Sequence, residues 1–365
     1  MKKYFTSAEY KFRIERRKIR AEKENKRSKR KKKEKNREEA GLSALEKKSK
    51  RSIKSHRAGG FATINVPKNF SFIKNPEEII EFINNLESRL RKRQKVYINL
   101  FDVEEISYGA IVLLLSIMVR FKAKNIDFNG NFPRFETPKS VLLESGFFNL
   151  LSKPIKEKEA YSLGEYSQKE IGGSHIYTHA QKVVDPPFAN ELVEKAVKFV
   201  SDNKYSRDMG AYMSLVELMA NTYAHASEKE GEQLWWLSSH YDAQNKKVYF
   251  SFIDFGLGII ESIKSKRAKV DLSRLINFIK GKENSRIIED LLNGKYHVQV
   301  KGTTPRGKGL PGIKEAAENN FIGNLHIISN NVFVNVEKDK YKKLKGIFSG
   351  TFVYWEINKE KLFHK

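Results

Sequence analysis

The sequence ELMANTYAHA, residues 217–226, carries a polar stripe along an otherwise apolar helix. Glu217, Asn221 and His225 recur every four residues, so a helix places them on one face. The positions between them are mainly apolar and predict contact with a hydrophobic core. This pattern indicates a buried helix whose polar side faces a polar ligand.

The segment IDFGLGI, residues 253–259, ends a predicted strand. The run 248–253 is apolar and rich in β-branched and aromatic residues, as expected of a buried strand. Two glycines follow the strand and let the backbone approach a ligand closely. The predicted binding residues in this segment are Asp254, Gly256 and Gly258.

The segment PRGKGLPGI, residues 305–313, precedes a helix predicted over residues 313–320. Its glycines expose backbone N–H groups beside a helix N-terminus, and such an arrangement binds phosphate. Two basic side chains lie within the same turn. The predicted phosphate-binding residues are Arg306, Gly307, Lys308, Gly309 and Gly312.

In their order and spacing, the three segments resemble the N, G1 and G2 boxes of the GHKL ATPases, the superfamily of gyrase, Hsp90, histidine kinases and MutL. The resemblance covers residues 187–358 and implies a Bergerat-type α/β sandwich that binds ATP with Mg²⁺. It implies that Asn221 binds the metal and that Glu217 is the general base. It also implies that Asp254 binds the adenine amino group, with Thr351 beside the base, while the glycines of the third segment enclose the phosphates.

The chemistry of these residues agrees with the roles that the resemblance implies. Mg²⁺ takes most of its ligands from phosphates and water, so the amide oxygen of Asn221 suffices as a protein ligand. A positioned base such as Glu217 typically contributes ~10² to 10⁴ in rate. A hydrogen bond to the Asp254 carboxylate, worth about 1.5–3 kcal/mol, favours adenine over guanine. His225 either contacts the phosphates or is a structural histidine, and a His in this box resembles the anti-sigma-factor serine kinases.

Residues 59–152 show a second pattern, in which short strands alternate with helices. The predicted elements are a strand at 61–66, a helix that begins near Pro76, a strand at 96–100, a helix at 110–121, a strand at 125–128 and a helix near 139–143. This region resembles a STAS-type domain, the fold of anti-sigma-factor antagonists. That family has a phosphorylatable serine in an Asp-Ser-Ser-Gly turn, whereas this turn is ISYG at 106–109. We therefore expect a protein-binding surface rather than phosphorylation of Ser107.

About 45 residues separate the second and third segments, too many for a simple loop. In GHKL proteins this region is the ATP lid. Apolar periodicity predicts helices at 272–279 and 287–292. Its many basic residues suit closure over a triphosphate and equally suit a solvated surface.

The length of 365 residues predicts two domains and an appendage. The fold class is α/β and α+β, a small STAS-like mixed sheet with helices followed by the α/β sandwich. The predicted organisation is a basic arm at 1–58, disordered or helical, a STAS-like domain at 59–152, a linker at 153–186 that can donate a strand, the ATP-binding domain at 187–358 and a tail at 359–365. Helical periodicity resumes at 190–200. Trp235 and Trp236 lie in a strand, where alternation predicts one in the core and one on a flank.

The formal charge of +25 is concentrated in the N-terminal arm. Residues 1–57 hold 24 Lys and Arg against 8 Asp and Glu, a net charge of +16. Such an arm neutralises phosphates, so we expect DNA, RNA or an acidic protein as its partner, with simple solubilisation as the alternative.

The chain contains no cysteine, which excludes disulfides and thiol chemistry and fits a reducing compartment. The longest apolar run, residues 110–119, is half of what a bilayer span needs. The N-terminus lacks the apolar segment of a secretory signal. We therefore expect a cytoplasmic protein without membrane contact.

Three functions remain open at this point. The first is an Mg-ATP-binding regulatory switch with slow hydrolysis that signals through the STAS-like domain, alone or as a homodimer. The second is a Ser/Thr protein kinase of the anti-sigma partner-switching type. The third is a nucleic-acid-associated ATPase module of a bacterial defence or regulatory system, in which the arm binds the nucleic acid.

Overall fold

We describe the chain from a computed structural model. The structure describes residues 22–28, 44–152, 173–179, 184–225, 235–264, 278–295 and 309–362, together with the single residues Glu15 and Arg20. For residues 173–179 and 223–225 it describes the backbone alone. The chain divides into two compact units, Met1–Gly59 and Gly60–Lys365.

The second unit mixes helices with short and long strands. The helices are α1 Ala44–Ala58 in the first unit, then α2 Pro76–Arg91, α3 Tyr108–Ala123, α4 Glu136–Glu144, α5 Phe147–Ser152, α6 Pro186–Ser201, α7 Met209–His225, α8 Gly258–Lys264, α9 Asn284–Leu292, α10 Leu310–Glu318 and α11 Lys359–Leu362. The strands are β1 Ala62–Asn65, β2 Asn69–Phe70, β3 Val96–Asn99, β4 Glu105–Ile106, β5 Phe128–Gly130, β6 Gly173–His179, β7 Trp235–Asp242, β8 Lys247–Asp254, β9 Gly323–Asn335 and β10 Lys340–Asn358.

The largest sheet is antiparallel and has the strand order β6-β7-β8-β10-β9. Its register places Asp254 opposite both Trp235 and Thr351. Because side chains alternate along a strand, each strand contributes to two faces. Along β10, Phe352 belongs to one hydrophobic core and Val353 to the other.

One face of this sheet is covered by α6, α7 and α10. Helix α6 begins at Pro186 because proline suits the first turn, and the Asp185 carboxylate accepts the Phe188 N–H at 3.0 Å. Helix α7 begins beyond Asp208, a buried acid whose carboxylate accepts the Ala211 N–H at 2.9 Å. These caps place the apolar sides of both helices against the sheet.

The opposite face is covered by α2 and α3. Glycine at position 109 lets α3 approach closely, since a Cβ there would lie 2.7 Å from Ser251 Oγ and 3.0 Å from the Phe352 ring. The same two helices contact a parallel three-stranded sheet of order β1-β3-β5 on their other side. The layers are therefore helices, large sheet, helices and small sheet.

The structure confirms a mixed α/β fold with parallel and antiparallel sheets. The region between residues 153 and 186 does donate a strand, because β6 pairs with β7 at the edge of the large sheet. Within the described ranges, no helix combines the length and the apolar content that a membrane crossing requires.

Three details of our sequence predictions are wrong. The strand expected at 125–128 begins only at Phe128, because Asn125 has a left-handed φ of 52° and ends α3. Pro186 begins a helix rather than continuing a linker. Trp235 and Trp236 are both buried, at 3% and 2% exposed, because helices cover both faces of the sheet.

The first unit is described mainly by α1, with residues 22–28 also helical. Ser49 is buried and Ile53 half-buried on one side of α1. The exposed basic residues are Lys47, Lys48, Lys50, Arg51, Lys54 and Arg57. Of the predicted basic arm, residues 1–14, 16–19, 21 and 29–43 lie outside the described part of the chain.

Candidate functional site

The turn after β8 holds a carboxylate at the end of the strand. Asp254 lies on the face covered by α6, α7 and α10, since its register partner Trp235 belongs to that core. The Gly256 N–H donates to Asp254 Oδ1 at 2.9 Å, and Thr351 bonds the same carboxylate from the neighbouring strand. The residues that we predicted beside an adenine base, Asp254 and Thr351, are therefore direct neighbours.

Burial raises the pKa of Asp254 to about 6, although the hydrogen bonds from Gly256 and Thr351 act in the opposite direction. Loss of hydration disfavours the charged form more than these donors favour it. A carboxylate in this state gains from an additional hydrogen-bond donor, because the donor replaces part of the lost hydration. The exocyclic amino group of adenine is a donor of this kind.

Two side chains from β9 hold the turn and the start of α8. Ser329 Oγ accepts the Ile259 N–H at 2.8 Å and donates to the Gly350 carbonyl at 3.0 Å. Asn330 Oδ1 accepts the Ile260 N–H at 2.9 Å, and its Nδ2 donates to the Leu257 carbonyl at 2.8 Å. Two of the N–H groups in the first turn of α8 are thus bonded by side chains of β9.

Two glycines are required by this packing. Gly258 has a φ of +76°, and a Cβ there would lie 2.7 Å from Asn330 Oδ1. At Gly350, where φ is +142°, an added Cβ would overlap the Asp254 carbonyl oxygen. The backbone of β10 therefore runs directly against the Asp254 turn, and neither position tolerates a larger residue without rearrangement.

Helix α7 carries the predicted polar stripe. Glu217 is only 7% exposed, which is unusual for a charged residue, while Asn221 is half-buried. The helix is close to the turn before β9, because Gly210 leaves no room for a Cβ against the Phe321 ring. His225 is the last residue of the helix, and its side chain lies outside the described part.

Helix α10 begins at the predicted phosphate segment. Gly309 precedes it with a φ of 62°, a conformation that favours glycine, and a Cβ there would meet no atom of the described residues within 4 Å. Gly312 lies in the first turn and donates its N–H to the Gly309 carbonyl at 3.0 Å. The other three predicted residues, Arg306, Gly307 and Lys308, lie outside the described residues.

Apolar contacts bring the three predicted segments together. Ile259 of α8 and Leu310 of α10 both pack against a small cluster formed by Ile263, Ile287 and Leu291. The same two residues also pack against the core that contains the apolar side of α7. Helices α7 and α10 are in direct contact. The Asp254 turn, the Glu217 helix and the Gly309 helix therefore share one face of the sheet.

The region that we predicted as a lid includes one described helix, α9. Asp290 in this helix is buried, and its carboxylate pairs with Lys282 at 2.8 Å and with Lys295 at 3.0 Å. Burial tends to raise the pKa of Asp290, but the bonds from the two lysines outweigh it and the pKa is lowered. Two of the basic residues in this region are therefore neutralised locally. Residues 265–277 and 296–308 lie outside the described residues.

Sequence reasoning missed Ser329, Asn330 and Phe255. The first two were detectable in principle, because the polar triplet Ser-Asn-Asn interrupts an otherwise apolar strand. The aromatic side chain of Phe255 points away from the site and packs against the core under α2 and α3. No local pattern distinguishes it from an ordinary turn residue.

No model of a known protein family matches this chain, and no curated protein matches it either. What the site can do therefore has to follow from its residues. On one face of the sheet it offers a carboxylate at the Asp254 turn, the N-terminus of α10 with Gly309 and Gly312, and an amide and a buried acid on α7.

Metal binding by protein side chains alone is not evident in the described residues, since no group of three or more His, Asp or Glu could hold an ion there.

Proposed function

We propose that the chain is an Mg-ATP-binding regulatory switch. In this proposal residues 187–358 form a GHKL-type ATP-binding domain, and residues 59–152 form a STAS-like domain that transmits the signal. ATP closes the lid and is slowly hydrolysed. The observation that carries the proposal is the Asp254 turn, in which a desolvated carboxylate faces the same side of the sheet as Glu217.

The roles of the residues follow from their chemistry. Asp254 accepts a hydrogen bond from the adenine amino group, with Thr351 beside it. Asn221 supplies an amide oxygen to Mg²⁺, which neutralises phosphate charge. Glu217 accepts a proton from the water that attacks the γ-phosphorus, as the bond to the bridging oxygen breaks. The phosphates bind at the glycines before α10, with Arg306 and Lys308 as the cationic residues.

The position of Ser107 favours a switch over a kinase that modifies its own antagonist-like domain. Ser107 caps α3, and its hydroxyl accepts the Ala110 N–H at 3.3 Å. The next residue, Tyr108, stacks on His240 at 3.8 Å, on the face of the sheet opposite to α7 and α10. The sheet therefore separates Ser107 from the proposed phosphate site of the same chain.

Incubation of the purified protein with Mg²⁺ and γ-labelled ATP tests the proposal. We expect slow release of labelled phosphate and no label on the protein. Label on a serine of this chain or of an added partner would instead support a partner-switching kinase. Calorimetry should detect binding of ATP or ADP, and an absence of binding at millimolar nucleotide would reject the site.

A second candidate, a nucleic-acid-associated ATPase, is favoured by the exposed basic side of α1. Lys47, Lys50, Arg51, Lys54 and Arg57 fall on one side of this helix, opposite the more buried Ser49 and Ile53. A row of exposed cations along a helix suits a phosphate backbone. Phosphate release that is stimulated by DNA or RNA would favour this function.

A further inference from the structure

The Asp254 turn has two sides, because successive side chains point to opposite faces of the sheet. Asp254 faces the layer of α7 and α10, whereas Phe255 packs against the core under α2 and α3. The ring of Phe255 lies 6.0 Å from that of Phe348, and the guanidinium of Arg120 lies over it at 5.8 Å. A residue adjacent to the proposed base-binding acid thus contacts the STAS-like region directly.

The residues that contact Phe255 are themselves packed against other side chains. Arg120 of α3 forms an ion pair with Glu87 of α2, and both side chains are largely buried. Phe348 is 1% exposed and packs edge-to-face on Phe72 with their centroids 5.2 Å apart. The surface against which Phe255 rests is therefore formed by side chains from several elements, α2, α3 and β10 among them.

On the front of the turn, hydrogen bonds hold the Asp254 carboxylate. Asp254 is bonded by Gly256 of the same turn and by Thr351 of β10. The strand β10 also carries Phe348, three residues before Thr351. A shift of the α2–α3 layer would therefore move the turn and its neighbouring strand together.

We propose that Phe255 is a positioning residue, through which the α2–α3 layer sets the orientation of Asp254 and responds to the base bound there. This inference rests on the proposed nucleotide site. It adds the contact through which nucleotide binding at that site would change the conformation of residues 60–152. A ligand that orders the Asp254 turn also orders the α2–α3 layer that packs against Phe255. A change in this contact should therefore alter nucleotide affinity, base selectivity and the mobility of α3 together.

The test compares the full chain with the variants Phe255→Ala and Phe255→Leu by calorimetry with Mg-ATP and Mg-GTP. We expect Phe255→Ala to weaken ATP binding about tenfold and to reduce the preference for ATP over GTP, because the Asp254 hydrogen bond is worth about that factor. Phe255→Leu should retain both properties within about threefold, since it keeps an apolar contact. Phe128→Ala is the matched control, because Phe128 packs on the same core away from the turn.

Hydrogen–deuterium exchange gives the second readout. In the wild-type protein, ATP should slow exchange in residues 108–123, and Phe255→Ala should abolish that change while Phe128→Ala preserves it. Wild-type affinity, selectivity and exchange in Phe255→Ala would overturn the inference and leave the nucleotide site intact. An absence of ATP binding by the wild-type chain would overturn the site and the inference together.

If Phe255→Ala does not fold, Arg120→Gln replaces it, because this change removes the cation over the ring. It also breaks the ion pair with Glu87, so Glu87→Gln, which breaks the same pair and keeps the cation, is its control. Arg120→Gln should lower the preference for ATP over GTP by about threefold and reduce the exchange response of α3. An unchanged preference and an unchanged response in a folded Arg120→Gln protein would overturn the inference.

Discussion

At the scale of single residues, the most informative group is the carboxyl of Asp254. Its pKa of about 6 in the folded protein lies above the value of 3.8 expected for an unburied aspartate, because burial disfavours the charge. At pH values between about 4 and 6, the Asp254 carboxyl therefore binds more protons in the folded state than in the unfolded state. This group therefore contributes less to stability as the pH rises through that window.

We predict that Asp254→Asn becomes more stable relative to wild type as the pH rises from about 4 to 7. The amide keeps an acceptor for the Gly256 N–H but has no charge to desolvate. Between about pH 4 and pH 7, the free energy of unfolding of the variant should rise by about 1–3 kcal/mol relative to that of wild type, as measured by urea unfolding at both pH values. A difference between the two proteins that does not change with pH would contradict the raised pKa.

Two residues of α7 should separate binding from turnover. We predict that Glu217→Gln binds ATP within about threefold of wild type but hydrolyses it about 10²–10⁴ times more slowly, since it removes only the base. Asn221→Ala should lose the Mg²⁺-dependent part of nucleotide binding. Calorimetry and phosphate release measure these two effects.

The exposed Met213, on the same helix, supplies the control for both variants. Met213→Ala should leave binding and turnover unchanged. If Glu217→Gln hydrolyses ATP at the wild-type rate, another group must accept the proton.

At the scale of elements, the close approach of α3 to the large sheet depends on Gly109. We predict that Gly109→Val destabilises the protein by about 1–3 kcal/mol, because its side chain would collide with Ser251 and Phe352. Chemical unfolding measures the effect. Gly60→Ala, where an added Cβ meets no atom within 4 Å, should cost only about 1 kcal/mol from its φ of +83°. Equal effects at the two positions would show that the α3 contact is not tight.

The sequence predicted best the elements whose apolar pattern is local and strong. Helix α2, expected from Pro76 and the apolar residues up to Leu90, runs over Pro76–Arg91, and the strand expected at 248–253 is β8. The first half of β10 was not predicted, because its run of lysines has a strand conformation only through pairing with β9. The conformation of this segment therefore depends on tertiary contacts rather than on its local sequence.

The candidate site shows the same division between local and long-range information. Asp254 and Gly258 were predicted as site residues because glycine spacing is a local signal. The contacts that hold them come from Ser329, Asn330 and Phe348, which lie about 70 or more residues away in the chain. A single sequence does not show which distant residues are in contact, so these contacts could not be predicted from it.

At the scale of the whole molecule, residues Met1–Gly59 form a compact unit of their own. We predict that removal of residues 1–57 leaves the affinity for ATP unchanged but removes most binding to DNA or RNA. The five exposed cations on one side of α1 imply that log K falls with log salt at a slope of about −4 to −5. Fluorescence anisotropy with a labelled duplex at two salt concentrations measures this slope. An undiminished salt-sensitive signal in the shortened protein would reject a role for the arm.

The core beneath α3 has a consequence for synthesis on the ribosome. That core includes Leu344, Phe348 and Phe352, which are translated more than 200 residues after the helix ends at Ala123. Translation proceeds at roughly 5–20 residues per second. The apolar surface of α3 therefore remains uncovered on the order of ten seconds or longer before β10 is synthesised. Chaperones that bind emerging chains would therefore be needed most during this interval, and codon changes that slow translation between α3 and β10 should increase misfolding.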